Sequence, residues 1–168
     1  MLSLKNLIRD SKTLSEKQRE KSFDFITENF YVGIGVCDHS TIDRINILEA
    51  SFLAMKKALA DLKGKSNNLK NQRSIILLDG NKKIPNFSQK QEAIIGGDKI
   101  VKTISAASII AKVTRDKFML GMHEKYPNYA FDKHKGYGTK IHLENLKKYG
   151  PCEIHRKSFG PVKKHFIT

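Results

Sequence analysis

The run Ser74-Ile75-Ile76-Leu77-Leu78-Asp79-Gly80 constrains this chain more than any other segment. Short, apolar and closed by an acid and a glycine, it predicts a buried strand that delivers one carboxylate to a sheet edge. Open α/β sheets bind ligands beyond the carboxyl ends of their strands, so Asp79 is a candidate site residue. A second apolar segment, Ala93-Ile94-Ile95-Gly96-Gly97, predicts another strand and delivers Asp98. Magnesium and manganese prefer carboxylate and water ligands, so Asp79 and Asp98 are candidate metal ligands. A strand-end aspartate also serves as a turn or helix-capping residue, and spacing alone leaves both readings open.

Charge narrows the choice of partner. The 168 residues carry 31 Lys and Arg against 17 Asp and Glu, a formal net charge of +14. The sequence pI is about 9.8. Such an excess favours a polyanion, of which nucleic acid is the commonest; a solvated basic surface is the plainer reading. Carboxylates at strand ends in so basic a chain point to a metal site facing a phosphate backbone. In two-metal phosphodiester hydrolysis the ions stabilise the attacking and leaving oxygens. The two cysteines, Cys37 and Cys152, have neither metal-ligand spacing nor a disulfide framework, which suggests reduced thiols in a cytoplasmic protein. No apolar stretch approaches the roughly 18 residues that span a bilayer, and Met1 to Asp10 is too polar for a secretory signal.

The remaining pattern is mostly helical. Ser15-Glu16-Lys17-Gln18 reads as a capping box opening a helix to about Asn29. Tyr31 to Val36 reads as a strand weakened by glycines. Ile45, Leu48, Phe52, Met55 and Leu59 form a core stripe on a helix from Ser40 to about Leu62. Lys63 to Arg73 reads as a loop, as does Asn81 to Phe87. A long helix from about Thr103 to Lys125 begins with Ser105, Ala106, Ala107 and Ser108, small enough to approach a sheet. Thr139 reads as the N-cap of a helix to about Tyr149, ended by Gly150-Pro151. The whole, residues 1–168, reads as one domain, with 139–168 a basic helical part.

Lys133-His134-Lys135-Gly136-Tyr137-Gly138 combines charges for phosphates, glycines for close approach and a ring for stacking. An ordinary basic loop is the equal alternative. Asp10-Ser11-Lys12 holds a phosphate or makes a turn. The six histidines show no zinc spacing, and His134 is a further, weaker candidate as a general base.

Taken together, these segments resemble ribonuclease HII, the type 2 ribonuclease H of bacteria. The resemblance rests on Asp10-Ser11-Lys12-Thr13-Leu14-Ser15, Ile45-Asn46-Ile47-Leu48-Glu49-Ala50, Leu78-Asp79-Gly80-Asn81 and Gly97-Asp98-Lys99. It continues through Ala106 to Asp116 and His134-Lys135-Gly136-Tyr137-Gly138-Thr139. It implies an α/β, ribonuclease H-like fold, a mixed five-stranded sheet flanked by helices, with a helical C-terminal extension. It implies a monomeric endonuclease that hydrolyses the RNA strand of RNA–DNA hybrids. Such an enzyme also cuts 5′ of ribonucleotides embedded in duplex DNA, with Mn2+ or Mg2+ as cofactor. Asp79 and Asp98 fall on two of the family's four metal carboxylates. Tyr137 falls on the tyrosine that packs against the sugar beside the ribonucleotide. Lys12 and Lys112 fall in substrate-side motifs, where their charge suggests phosphate contact. Asp116 also falls in a motif, but a helix-interior acid beside Arg115 reads as structural.

The resemblance further implies an opening strand with Asp-Glu-Ala-Gly-Arg-Gly, which carries the other two ligands and reads the 2′-hydroxyl that marks RNA. No segment of the 168 residues matches it. The chain is therefore expected to be an N-terminally truncated member that does not cleave by itself. The alternative function is a non-catalytic nucleic-acid-binding remnant. A ribosome-associated basic protein needs lysines but no carboxylate pair, and the ordered motifs argue against it.

Overall fold

A computed structural model describes residues 8–65 and 74–166. These divide into two compact units, Met1–Val36 with Ala54–Val113, and Cys37–Leu53 with Thr114–Thr168. The first helix, α1 (Glu16–Asn29), opens as its sequence predicts. Ser15 accepts from the Gln18 amide, and the Gln18 side chain accepts from the Ser15 amide. Helix α2 is His39–Lys65. The only strands among the described residues are β1 (Ile76–Asp79) and β2 (Gln91–Ile94), which pair in parallel with Ile76 opposite Gln91 and Asp79 opposite Ile94. There follow α3 (Gly97–Ile100), α4 (Lys102–Lys125), α5 (Phe131–His134), α6 (Lys140–Tyr149) and α7 (Gly160–Lys163).

In the first unit, Ile8, Leu14, Ile26, Ile109, Ile110 and Val113 form the buried core, with Phe23, Phe25, Val32 and Ala106 packed against it. The unit's parallel pair is closed without a crossover helix. Parallel strands usually need one. Here Gln91 takes its place in the loop of residues 80–90: its Oε1 accepts from the Ile84 amide at 2.8 Å, and its Nε2 donates to the carbonyls of Ile84 and Phe87.

Three sequence expectations are corrected in these elements. Tyr31–Val36 is not a strand. Its polar groups are taken by α2: the Ile34 amide donates to Asp61, Lys57 donates to the Val36 carbonyl, and Lys65 donates to the Val32 carbonyl. Gly33 and Gly35 let it lie this close, since a Cβ on either would run into the carbonyl of Ala58 or Ala54. Second, Leu48 does not join the core stripe and is exposed. Asn46 has φ 66° inside α2, and its side chain caps the following turn by accepting from the amides of Leu48 and Glu49. That break rotates the stripe out of register. Third, α2 runs on through Lys63 to Lys65, residues expected to lie in a loop; the rest of that segment, 66–73, lies outside the described residues.

The second unit is built on aromatic and histidine rings. Met119, Tyr129 and Phe131 are its core cluster, with Met122, Tyr126, Cys152 and Ile154 packed around them. Tyr129 stacks on Phe131 at 5.4 Å and donates to the Gly150 carbonyl. Helix α6 is capped by Thr139, which accepts from the His142 amide, and it ends at Gly150 with φ 72°. Leu146 and His142 are its buried residues.

Candidate functional site

Asp79 stands at the end of β1, as its run predicts, and its side chain is exposed. Asp98 is not at a strand end. Strand β2 stops at Ile94, Gly96 turns with φ 66°, and Asp98 lies in the single turn of α3, which packs against β1. The two glycines explain the difference. Gly96 adopts a left-handed conformation that an L side chain resists, and Gly97 lies so close to Ile104 that a Cβ would meet its Cδ1 at 2.6 Å. Asp98 is 5% exposed. Its carbonyl accepts from the Ser105 hydroxyl at 2.7 Å, which ties α3 to the first turns of α4.

Lys12 comes to Asp98 from a separate turn. Residues Ser11–Thr13 form a 3-10 turn capped by Asp10, which accepts from the Lys12 amide at 2.9 Å. Ser11 is buried and hydrogen-bonds Ser108 on α4 at 2.9 Å, so the small residues at the start of α4 hold this turn. The Lys12 ammonium then reaches Asp98 Oδ2 at 3.3 Å. The hydrogen bond that Lys12 donates to Asp98, followed by the charges of Asp98, Asp10 and Asp79, holds the Lys12 pKa above the usual lysine value. One exposed cation thus stands in the field of three carboxylates. Lys112 is half-buried on α4 in the same unit.

A divalent ion at Asp79 and Asp98 would have to compete with Lys12 for the buried carboxylate. Among the described residues no group of three or more His, Cys, Asp or Glu is arranged to hold a metal.

Tyr137 lies in the second unit, between α5 and α6, with its ring exposed. Lys135 and Gly136 both have positive φ, 49° and 82°, which turns the loop so that the tyrosine projects. His134 is buried, not poised as a base: Nε2 lies 2.8 Å from the Tyr129 carbonyl and Nδ1 accepts from the Gly136 amide. Asp116 is buried on α4.

Sequence reasoning missed the neighbours of this loop. His142 contacts the Tyr137 carbonyl through Nδ1 at 2.9 Å and His155 through Nε2 at 3.2 Å. Burial is the main cause that lowers the His142 pKa, and it pushes His155 down to about 4. Burial also raises the Cys152 thiol. The spacing of these residues matches no metal pattern, so the only signal for them was that His142 follows the predicted cap Thr139.

Comparison with known proteins agrees with the order of motifs. The family model for ribonuclease HII matches residues 2–162. A ribonuclease HII of Fusobacterium nucleatum is 51% identical over 154 residues, covering 90% of this chain and 70% of that protein. One of Idiomarina loihiensis is 49% identical over 158 residues, covering 94% of this chain and 80% of its own length. The crystal structure of ribonuclease H2 from Pyrococcus horikoshii superposes with a TM-score of 0.69 at 24% identity, over 96% of this chain and 82% of that one. The fold is ribonuclease H-like, and the chain belongs to the ribonuclease HII family.

Proposed function

We propose that these 168 residues carry the nucleic-acid-holding part of a ribonuclease HII, and that by themselves they bind RNA–DNA hybrids and ribonucleotide-containing duplex DNA without cutting them. The observation that carries this reading is the Lys12–Asp98 pair, at 3.3 Å. The buried acid that family membership would give to a metal is neutralised by a cation of the chain itself. Family membership implies hydrolysis with Mn2+ or Mg2+ held by four carboxylates, and this chain brings Asp79 and Asp98. Lys12 and Lys112 are read as phosphate contacts, Tyr137 as the ring against the sugar beside the ribonucleotide. The charge of +14 supports a polyanionic partner.

The test is direct. The chain is mixed with Mn2+ and a labelled DNA duplex containing one ribonucleotide, or with an RNA–DNA hybrid. The expected result is a salt-sensitive mobility shift with no product on a denaturing gel. Robust cutting that Asp79→Asn abolishes would sink the reading, because the two acids would then suffice for catalysis.

A further inference from the structure

The hydrogen bonds of the second unit determine where each histidine keeps its proton. The Cys152 amide can only donate, and it points at His155 Nδ1 at 3.0 Å. His155 Nδ1 is therefore an acceptor and its hydrogen is on Nε2. The Tyr137 carbonyl can only accept, so His142 Nδ1 carries the hydrogen that meets it. His142 Nε2 is then bare, and His155 Nε2–H donates to it across 3.2 Å. His134 follows the same logic: Nε2–H donates to the Tyr129 carbonyl, and bare Nδ1 accepts from the Gly136 amide at 3.2 Å. A ring nitrogen pair admits one donor and one acceptor only while the imidazole is neutral. Each of the three rings uses both roles.

All these bonds converge on one loop. The Tyr137 amide donates to the His134 carbonyl, and its carbonyl accepts from both the Thr139 amide and His142. Rings His134 and His142 stack at 4.4 Å, and both make T-shaped contacts with Phe131, which is 1% exposed. We infer that His142, His155 and His134 are positioning residues for Tyr137, fixing its backbone through a relay that runs from the Cys152 amide to the Tyr137 carbonyl. An added proton on His155 Nδ1 would face the Cys152 amide, and one on His142 Nε2 would face His155. The titratable neighbours of the relay are His39, His165, Cys152 and Tyr129, with Glu153 and Lys125 acting on Cys152. The role rests on the reading of Tyr137 as a substrate-contacting ring.

Two measurements on the whole chain test it. Long-range proton–nitrogen NMR at neutral pH should show His134 and His155 as Nε2–H and His142 as Nδ1–H; a His142 ring in the Nε2–H form overturns the relay. A double-mutant cycle then follows binding to a duplex with one ribonucleotide. Tyr137→Ala and His142→Leu should each weaken binding about tenfold, as loss of one stacked ring does. The double variant should be no weaker than either single one, with an unchanged salt slope because no charge is lost. His142→Asn keeps an N–H near the Nδ1 position and should recover most of the affinity, which separates positioning from failure to fold. Additive losses, or Asn behaving as Leu, overturn the inference. Unchanged binding by Tyr137→Ala would instead overturn the reading of Tyr137, and the inference with it, while the ring tautomers would still report whether the relay exists.

Discussion

Asp98 and His155 are both groups that burial would make costly to charge, and the chain treats them in opposite ways. Asp98 is given a cation. Removing that cation in Lys12→Ala should let Mn2+ reach the acid more easily, with affinity rising roughly twofold to fivefold, the scale of one partly exposed ion pair. The loss of free-ion signal in a paramagnetic-resonance titration measures this; unchanged affinity would show that Lys12 does not guard the acid. His155 is instead kept neutral, with its pKa pushed down to about 4 by burial and then by the neighbouring His142. The unfolded ring takes its proton near pH 6.5, so between about pH 6.5 and 4 the unfolded chain binds more protons. Folding stability is therefore full above that window and falls as pH drops through it. His142, also lowered by burial, adds in the same direction. The His155 part of the loss should be roughly 3 kcal/mol across the window, read from urea midpoints, and His155→Gln should flatten the profile. A profile as steep in that variant as in the parent would exclude His155 as the cause.

The crossover loop between β1 and β2 depends on one side chain. Gln91→Ala would leave the amide and carbonyl of Ile84, a residue 2% exposed, without the partners they have now. Each buried group left unpaired costs about 1–3 kcal/mol, so the variant should lose roughly 2–4 kcal/mol in denaturant unfolding. A loss below about half a kcal/mol would mean that water replaces the glutamine. This element also shows what a sequence can and cannot disclose. The β1 strand with Asp79, the Ser15 capping box and the Thr139 cap were legible because each is set by neighbours in sequence. The register of Asp98 was not, because Gly96-Gly97 reads equally as a weak strand or a turn, and the choice falls to Ile104 and Ser105 on α4. Tyr31–Val36 has the composition of a strand, yet Asp61, Lys57 and Lys65 offer its backbone partners from a helix. The outward turn of Leu48 follows from one positive φ at Asn46, which no hydrophobic period records. The histidine relay was hidden because its members converge only through the packing around Phe131.

Across the whole molecule, the net charge of +14 should set the strength of the proposed nucleic-acid binding more than any single contact does. Each phosphate neutralised on duplex DNA should contribute about −0.9 to the slope of log affinity against log salt, so a face with several lysines should give a slope between about −3 and −6. Lys133→Ala should make that slope shallower by about one, as measured by fluorescence anisotropy at four salt concentrations. A slope near zero would mean that the net charge of +14 is only a solubility device. No helix among the described residues is long and apolar enough to cross a membrane. The short Gln91-held connection also bears on the order of folding. Parallel pairing is slow when a long crossover must be organised first, whereas loop-closure entropy rises only with the logarithm of loop length. With residues 80–90 as its only connection, the β1–β2 pair can zip before any helix is complete. Asp79 should then gain its place from a local event and Asp98 only once α4 docks and Ser105 reaches its carbonyl, so the two acids are expected to enter the native state at separate moments.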